Sequence, residues 1–209
     1  MNRTLPPPLL VVTDRHGAPR PLAETVRAAV AGGARFVWLR DRDLDREARQ
    51  ALALDFLAAL TPLGGHLVIG ADIALAAETG AHGVHLGGAA GPRGIAQARA
   101  ALGPDALIGV SAHGPEEVAA AAEAGADYAT LSPIFSTASK PGYGPALGLS
   151  ALEACRTLPI PVFALGGIDA TNASICLDAG AAGIAAMGVL MRAADPEAET
   201  RALLRTLGG

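Results

Sequence analysis

Charge and aromatic rings are both scarce in this chain. Charged residues make up 17% and aromatic residues 3% of 209 positions, and the formal net charge is −4. A nucleic-acid binder needs a basic surface that displaces counterions from the phosphate backbone, and single-strand binders add rings for base stacking. Neither is supplied, which excludes nucleic acid as a partner. Cysteine occurs only at Cys155 and Cys176, 21 residues apart, with no CxxC spacing and no histidine-rich neighbour. The pair reads as two buried small apolar residues of a reducing compartment. Long hydrophobic runs are missing too. The apolar start of MNRTLPPPLLVVTDR is stopped by Asp14 and Arg15 and is too short for a signal peptide or a membrane span. A cytoplasmic protein with no membrane partner is expected, and the oligomeric state is left open.

What the chain does have is 51% apolar residues, arranged as eight short runs. They are LLVVTD from Leu9, FVWLR from Phe36, HLVIG from His66, GVHLG from Gly83, LIGVS from Leu107, YATLS from Tyr128, PVFALGG from Pro161 and GIAAMG from Gly183. Continuous apolarity over four to six residues suits parallel strands covered on both faces. Between the runs lie Ala-rich amphipathic stretches, predicting helices over Leu22–Ala31, Arg46–Leu60, Pro115–Ala124, Leu149–Thr157, Thr171–Ala179 and Pro196–Leu207. Pro115 and Pro196 suit a first helical turn, and Glu116 and Glu117 favour its positive end. Gly-Ala pairs at Gly33, Gly80, Gly125 and Gly180, spaced 47, 45 and 55 residues apart, mark a helix end before every second strand. Eight βα units in residues 1–209 predict one domain, a closed (β/α)8 TIM barrel. A doubly wound open sheet is the alternative, and the absence of GxGxxG after the first strand weighs against its dinucleotide-binding form.

Barrels of this type place their sites at the C-terminal ends of the strands. The residues there are Arg40 and Arg42 after the second run, Ser111 and His113 after the fifth, Ser136 to Lys140 after the sixth, Gly166 and Gly167 after the seventh, and Gly188 after the eighth. The segment LSPIFSTASKPGYGPALGL from Leu131 is built for an anion: Ser136, Thr137 and Ser139 carry hydroxyls, Lys140 carries a mobile charge, and glycines let backbone N–H groups approach a phosphate. Gly166, Gly167 and Gly188 match the place where these barrels cradle phosphate on backbone amides.

The segments IGVSAH, AGADYATLSPIFSTASK, PVFALGGIDATNA and AGAAGIAAMGVL, with VVTDR and WLRDRDL before them, resemble the thiamin phosphate synthase/TenI family over nearly the whole chain. The resemblance implies a barrel that binds hydroxyethylthiazole phosphate. In the synthase branch a pyrimidine diphosphate loses pyrophosphate and the thiazole nitrogen attacks the methylene cation. Carried over by motif, Arg40, Arg42 (in place of the family's usual lysine) and Lys140 contact the diphosphate. Thr137, Ser139, Gly166, Gly167 and Gly188 hold the thiazole phosphate, and Ser111 lies near the reacting groups.

The departures are specific. Synthases usually carry an Asn-Asp pair after strand three and an acidic residue after strand four, which hold Mg²⁺. Here those positions read Gly70-Ala71 and Gly88-Ala89-Ala90, with Asp72 one residue away as a lone substitute ligand. No cofactor is therefore assigned, and Mg²⁺ is implied only if the synthase reading holds. Trp38 replaces a glutamine expected beside Arg40, and narrows the pyrimidine pocket if it points into the mouth. These losses favour a TenI-like enzyme that isomerises a thiazole phosphate by moving a proton. The proton-carrying histidine of that branch is itself replaced, by Pro133. His113, just beyond strand five, is the leading replacement and His85 the next, whereas Asp169, two residues ahead of Thr171, reads as a cap. The readings rank as a TenI-like tautomerase, then an active synthase, then a non-catalytic thiazole-phosphate binder.

Overall fold

A computed structural model describes residues 6–137 and 145–208. The elements run β1 (Leu9–Val12), α1 (Leu22–Ala31), β2 (Phe36–Leu39), α2 (Arg46–Leu60), β3 (His66–Gly70), α3 (Ile73–Thr79), β4 (Gly83–Leu86), α4 (Gly91–Leu102), β5 (Leu107–Ala112), α5 (Pro115–Glu123), β6 (Tyr128–Leu131), α6 (Leu149–Cys155), β7 (Val162–Leu165), α7 (Ala173–Asp178), β8 (Gly183–Ala186), α8 (Gly188–Met191) and α9 (Pro196–Thr206). All eight strands pair in parallel in chain order, and β8 closes on β1 with Leu9 opposite Ile184. The expected (β/α)8 barrel is the observed one. The four glycines that were expected to end helices all take positive φ, from 69° at Gly80 to 112° at Gly33, where a side chain would be strained.

Side-chain alternation divides the core in two. Outward residues of the strands, such as Val37, Ile69, Ile108 and Ile184, pack with Val26, Phe56, Leu75, Val118 and Leu203 from the surrounding helices, and both cysteines lie buried in this layer as free thiols. Inward residues form a separate cluster of Leu10, Val12, Phe36, Trp38, Val68, Tyr128, Phe163 and Ala185. The few aromatic rings are concentrated here. Phe36, Tyr128 and Phe163 meet edge to face, with centroids 5.3 Å apart for Phe36–Tyr128, 6.0 Å for Phe36–Phe163 and 5.6 Å for Tyr128–Phe163. Glycine on neighbouring strands makes the room: a Cβ at Gly109 would sit 2.1 Å from Tyr128 Cζ, and one at Gly183 would sit 2.8 Å from Phe163 Cε1. Large rings alternating with glycine fill the barrel interior.

Helix starts are fixed by short acidic side chains. Asp45, Asp72 and Asp195 accept hydrogen bonds from the N–H groups of Ala48, Leu75 and Ala198, satisfying donors that the first helical turn leaves unpaired. Among the described residues no helix is long and apolar enough to cross a membrane.

Candidate functional site

A cavity of about 320 Å³ opens at the C-terminal mouth of the barrel. Arg40, Ser111, His113, Thr137, Gly166, Gly167 and Gly188, all expected from the sequence, line it together. Ser132, Ser136, Asp169 and Arg192 add polar groups, while Val12, Trp38, Leu165 and Ala185 make its floor. Ser139 and Lys140 lie outside the described residues. Arg42 is exposed and is not part of the lining. Strand β2 ends at Leu39, so the alternation that would align residue 42 with residue 40 no longer operates there.

Arg40 is held by its backbone. The Thr13 hydroxyl accepts from Arg40 N at 2.8 Å and donates to Asp41 Oδ2 at 2.5 Å, and Asp41 Oδ1 accepts from Arg15 N at 2.8 Å. Thr13 and Asp41 are both buried. A buried carboxylate with both oxygens bonded is rigid, and it ties the ends of β1 and β2 together beneath the guanidinium.

On the opposite wall, Gly166 and Gly167 turn the chain after β7 with φ of 100° and 66°. A Cβ at Gly167 would lie 2.5 Å from Ser136 O and 2.8 Å from Phe135 Cβ, so the loop after β6 can approach only because residue 167 has no side chain. Next to them, α8 begins directly after β8. Its first hydrogen bonds are donated by Leu190 and Met191 to Met187 O, after Gly188 and Val189, which line the cavity. Backbone N–H groups at such a start present partial positive charge to an anion. Arg192, one residue past α8, brings a second guanidinium to this rim. The sequence reading missed it, although an arginine four residues after the strand-eight glycine is a visible signal.

The histidines divide clearly. His113 is exposed at the rim, and its Nδ1 bonds to Ser132 O at 2.9 Å, which fixes Nδ1 as the protonated nitrogen. His85 is buried inside the barrel, with Nδ1 2.9 Å from the Tyr128 hydroxyl, Nε2 3.0 Å from Ser111 Oγ, and its ring stacked on Trp38 at 3.7 Å. Burial pushes His85 down from 6.5 to about 3 and raises the Tyr128 phenol well above its usual range. At neutral pH both are therefore uncharged. The unfolded chain takes up a proton below 6.5 that the folded His85 refuses until about 3, so stability falls as the pH drops through that window. The expected loss from this group is on the order of 1 kcal/mol per pH unit. Urea unfolding at about pH 7 and about pH 5 checks it: His85→Gln should show a shallower pH dependence than the wild type, and equal slopes would remove His85 as the source.

Carboxylates for a metal are not assembled at this mouth. Gly70, Ala71, Gly88 and Ala89 bring no side-chain donors. Asp72 uses Oδ1 for the α3 cap and Oδ2 for Arg49 at 3.0 Å. Among the described residues no three His, Cys, Asp or Glu side chains are placed to share a metal ion. The residues present do not fit Mg²⁺, and Asp72 has a structural use instead. Asp169 accepts from Thr171 N and Oγ1 at 2.8 and 2.6 Å, in the turn ahead of α7 rather than as its cap, because α7 starts at Ala173 with Asn172 at the N-cap, and its carboxyl is held below the usual range chiefly by the Thr171 hydroxyl.

The fold and the mouth define a class: a (β/α)8 barrel whose one face combines an arginine, a two-glycine turn and a helix start. Residues 9–190 match the family model described as thiamine monophosphate synthase, and the chain belongs to that family. The chain is 38% identical over 195 residues to thiamine-phosphate synthase of Roseiflexus sp. (strain RS-1), covering 92% of this chain and 82% of that one. It is 42% identical over 190 residues to thiamine-phosphate synthase of Albidiferax ferrireducens, covering 90% and 86%. Thiamine phosphate pyrophosphorylase from Pyrococcus furiosus superposes with a TM-score of 0.84 at 28% identity, covering 96% of this chain and 95% of that one.

Proposed function

We propose that the protein is a thiamine-phosphate synthase, joining a pyrimidine diphosphate to a thiazole phosphate with release of pyrophosphate. The observation that carries this reading is the name shared by relatives about 40% identical over nine-tenths of the chain. That name reverses the order expected from the missing carboxylates, which put a TenI-like tautomerase first. The mouth supports the synthase in its own right, because two candidate anion-binding groups line one cavity: Arg40 directly after β2, and the glycines after β7 and β8.

In this reading the thiazole phosphate sits on Gly166, Gly167, Gly188 and Thr137, with its ring toward the cavity centre. The diphosphate lies against Arg40; Lys140 is given a second charge on it by motif alone, and Arg42, outside the lining, at most a distant one. The carbon–oxygen bond of the pyrimidine methylene breaks, the electron pair leaves with pyrophosphate, and the thiazole nitrogen donates its lone pair to the methylene carbon. No proton transfer is needed to form the new bond. The protein's contribution is orientation and stabilisation of the charge that grows on the leaving oxygen. Ser111, held by His85, offers a hydroxyl near the reacting groups.

Incubation of the purified protein with both substrates and Mg²⁺, followed by mass spectrometry, tests the proposal. Thiamin phosphate well above a no-enzyme control is the expected result. No product alongside turnover of a thiazole tautomer would replace the synthase by the isomerase. No turnover of either kind, with thiazole phosphate bound, would leave a binding protein.

A further inference from the structure

The mouth cavity is lopsided. Its lining comes from β1, β2 and β5 to β8 and the segments that follow them, and no residue of β3 or β4 takes part. One side chain stands on the side of β3 and β4. Trp38 leaves β2 pointing inward and lies over the neighbouring strand, where Gly70 has only hydrogen; a Cβ at residue 70 would come within 3.0 Å of Trp38 Nε1 and 2.9 Å of Leu39 O. Crossing that gap, the indole reaches β4 and stacks on His85 at 3.7 Å with an interplanar angle of 25°. Trp38 is 8% exposed, and its Nε1 makes no hydrogen bond among the described residues, so packing fixes the ring. His85 behind it is neutral and bonded to Tyr128 and Ser111. One wall of the cavity is thus an indole backed by an uncharged imidazole, with the Ser111 hydroxyl at its rim.

Arg40 stands two residues after Trp38, and both line the cavity. Residues i and i+2 along extended chain are about 7 Å apart, which suits an aromatic ring on the indole and an anionic group joined to it through a methylene on the guanidinium. We propose that Trp38 is the specificity-determining platform for the aromatic ring of the diphosphate substrate, with the thiazole phosphate held on the glycine side. The inference rests on the synthase reading. It assigns the indole a ligand-binding role beyond that of filling the barrel.

Trp38 is the sole tryptophan of the chain, so intrinsic emission reports on this wall directly. Titrating the wild type with the pyrimidine diphosphate should quench emission saturably, whereas inorganic pyrophosphate, which meets Arg40 but carries no ring, should leave it nearly unchanged. By calorimetry, Trp38→Phe should keep the dissociation constant of the diphosphate within about threefold and Trp38→Leu should raise it about tenfold, the range of an aromatic contact. Thiazole phosphate should bind both variants like the wild type, which also establishes that they fold. Calorimetric binding of the diphosphate with unchanged emission, or an unchanged constant in Trp38→Leu, would overturn the platform and leave the synthase standing. Quenching by thiazole phosphate alone would overturn it by giving the indole to the other ring. Failure of the wild type to bind the diphosphate at all would remove both readings.

Discussion

Arg40→Ala is expected to lower kcat/KM for thiamin phosphate formation by about 100- to 1000-fold, the usual cost of removing one preorganised group from a developing charge. The backbone beneath this residue is fixed by the Thr13–Asp41 pair, so the root of the side chain is set at the cavity wall before substrate arrives. Arg40→Lys keeps the charge and loses the planar fork, and should fall between the two. Steady-state kinetics with each substrate varied in turn check the assignment. The loss should appear when the pyrimidine diphosphate is limiting, while calorimetric affinity for thiazole phosphate stays near the wild-type value. An Arg40→Ala enzyme within about threefold of wild type would remove Arg40 from the leaving-group site, since a transition-state contact is worth far more than that.

Gly188→Asp should have a comparably large effect on the other half of the reaction. A carboxylate at the start of α8 puts a negative charge where the proposed phosphate meets backbone amides. Two like charges about 4 Å apart at a partly solvated surface repel by several kcal/mol, and flexibility of the side chain reduces this to about 100-fold in affinity. Calorimetry with thiazole phosphate reads it. Affinity for the pyrimidine diphosphate should change little, because Arg40 lies across the cavity. Wild-type binding of thiazole phosphate in this variant would refute the cradle. Gly167→Ala is a harsher change, since a Cβ there meets the Ser136 carbonyl at 2.5 Å on a residue with φ of 66°, and displaces the loop after β6 as well.

Most of the barrel was legible because its signals are local. Eight apolar runs and glycine-ended helices depend on neighbours in sequence, and the strands begin where the runs do or within one residue. The mouth was legible in outline for the same reason, since strand ends can be found without knowing the sheet. What could not be read depends on contacts across the barrel. Nothing near Thr13 announces that it bridges Asp41 and the Arg40 backbone, and nothing near Trp38 shows that Gly70 and His85 leave it room. Asp72 resembled a stray ligand because its partner, Arg49, lies 23 residues earlier in the chain. His85 lies within the fourth apolar run and His113 beyond the fifth, yet nothing local shows that the first is sealed inside and neutral while the second is at the rim.

Ala71 carries a last consequence. It is exposed, follows β3 directly, and has φ of 55°, the one non-glycine residue with positive φ among those described. Alanine adopts this left-handed shape at a cost that Asn, Asp and Gly largely avoid. The main chain after β3 is therefore already bent to a shape that Asn, Asp or Gly takes more readily than the alanine present. Position 71 is a vacancy in side chain only, where a carboxylate could be installed without asking the backbone to move.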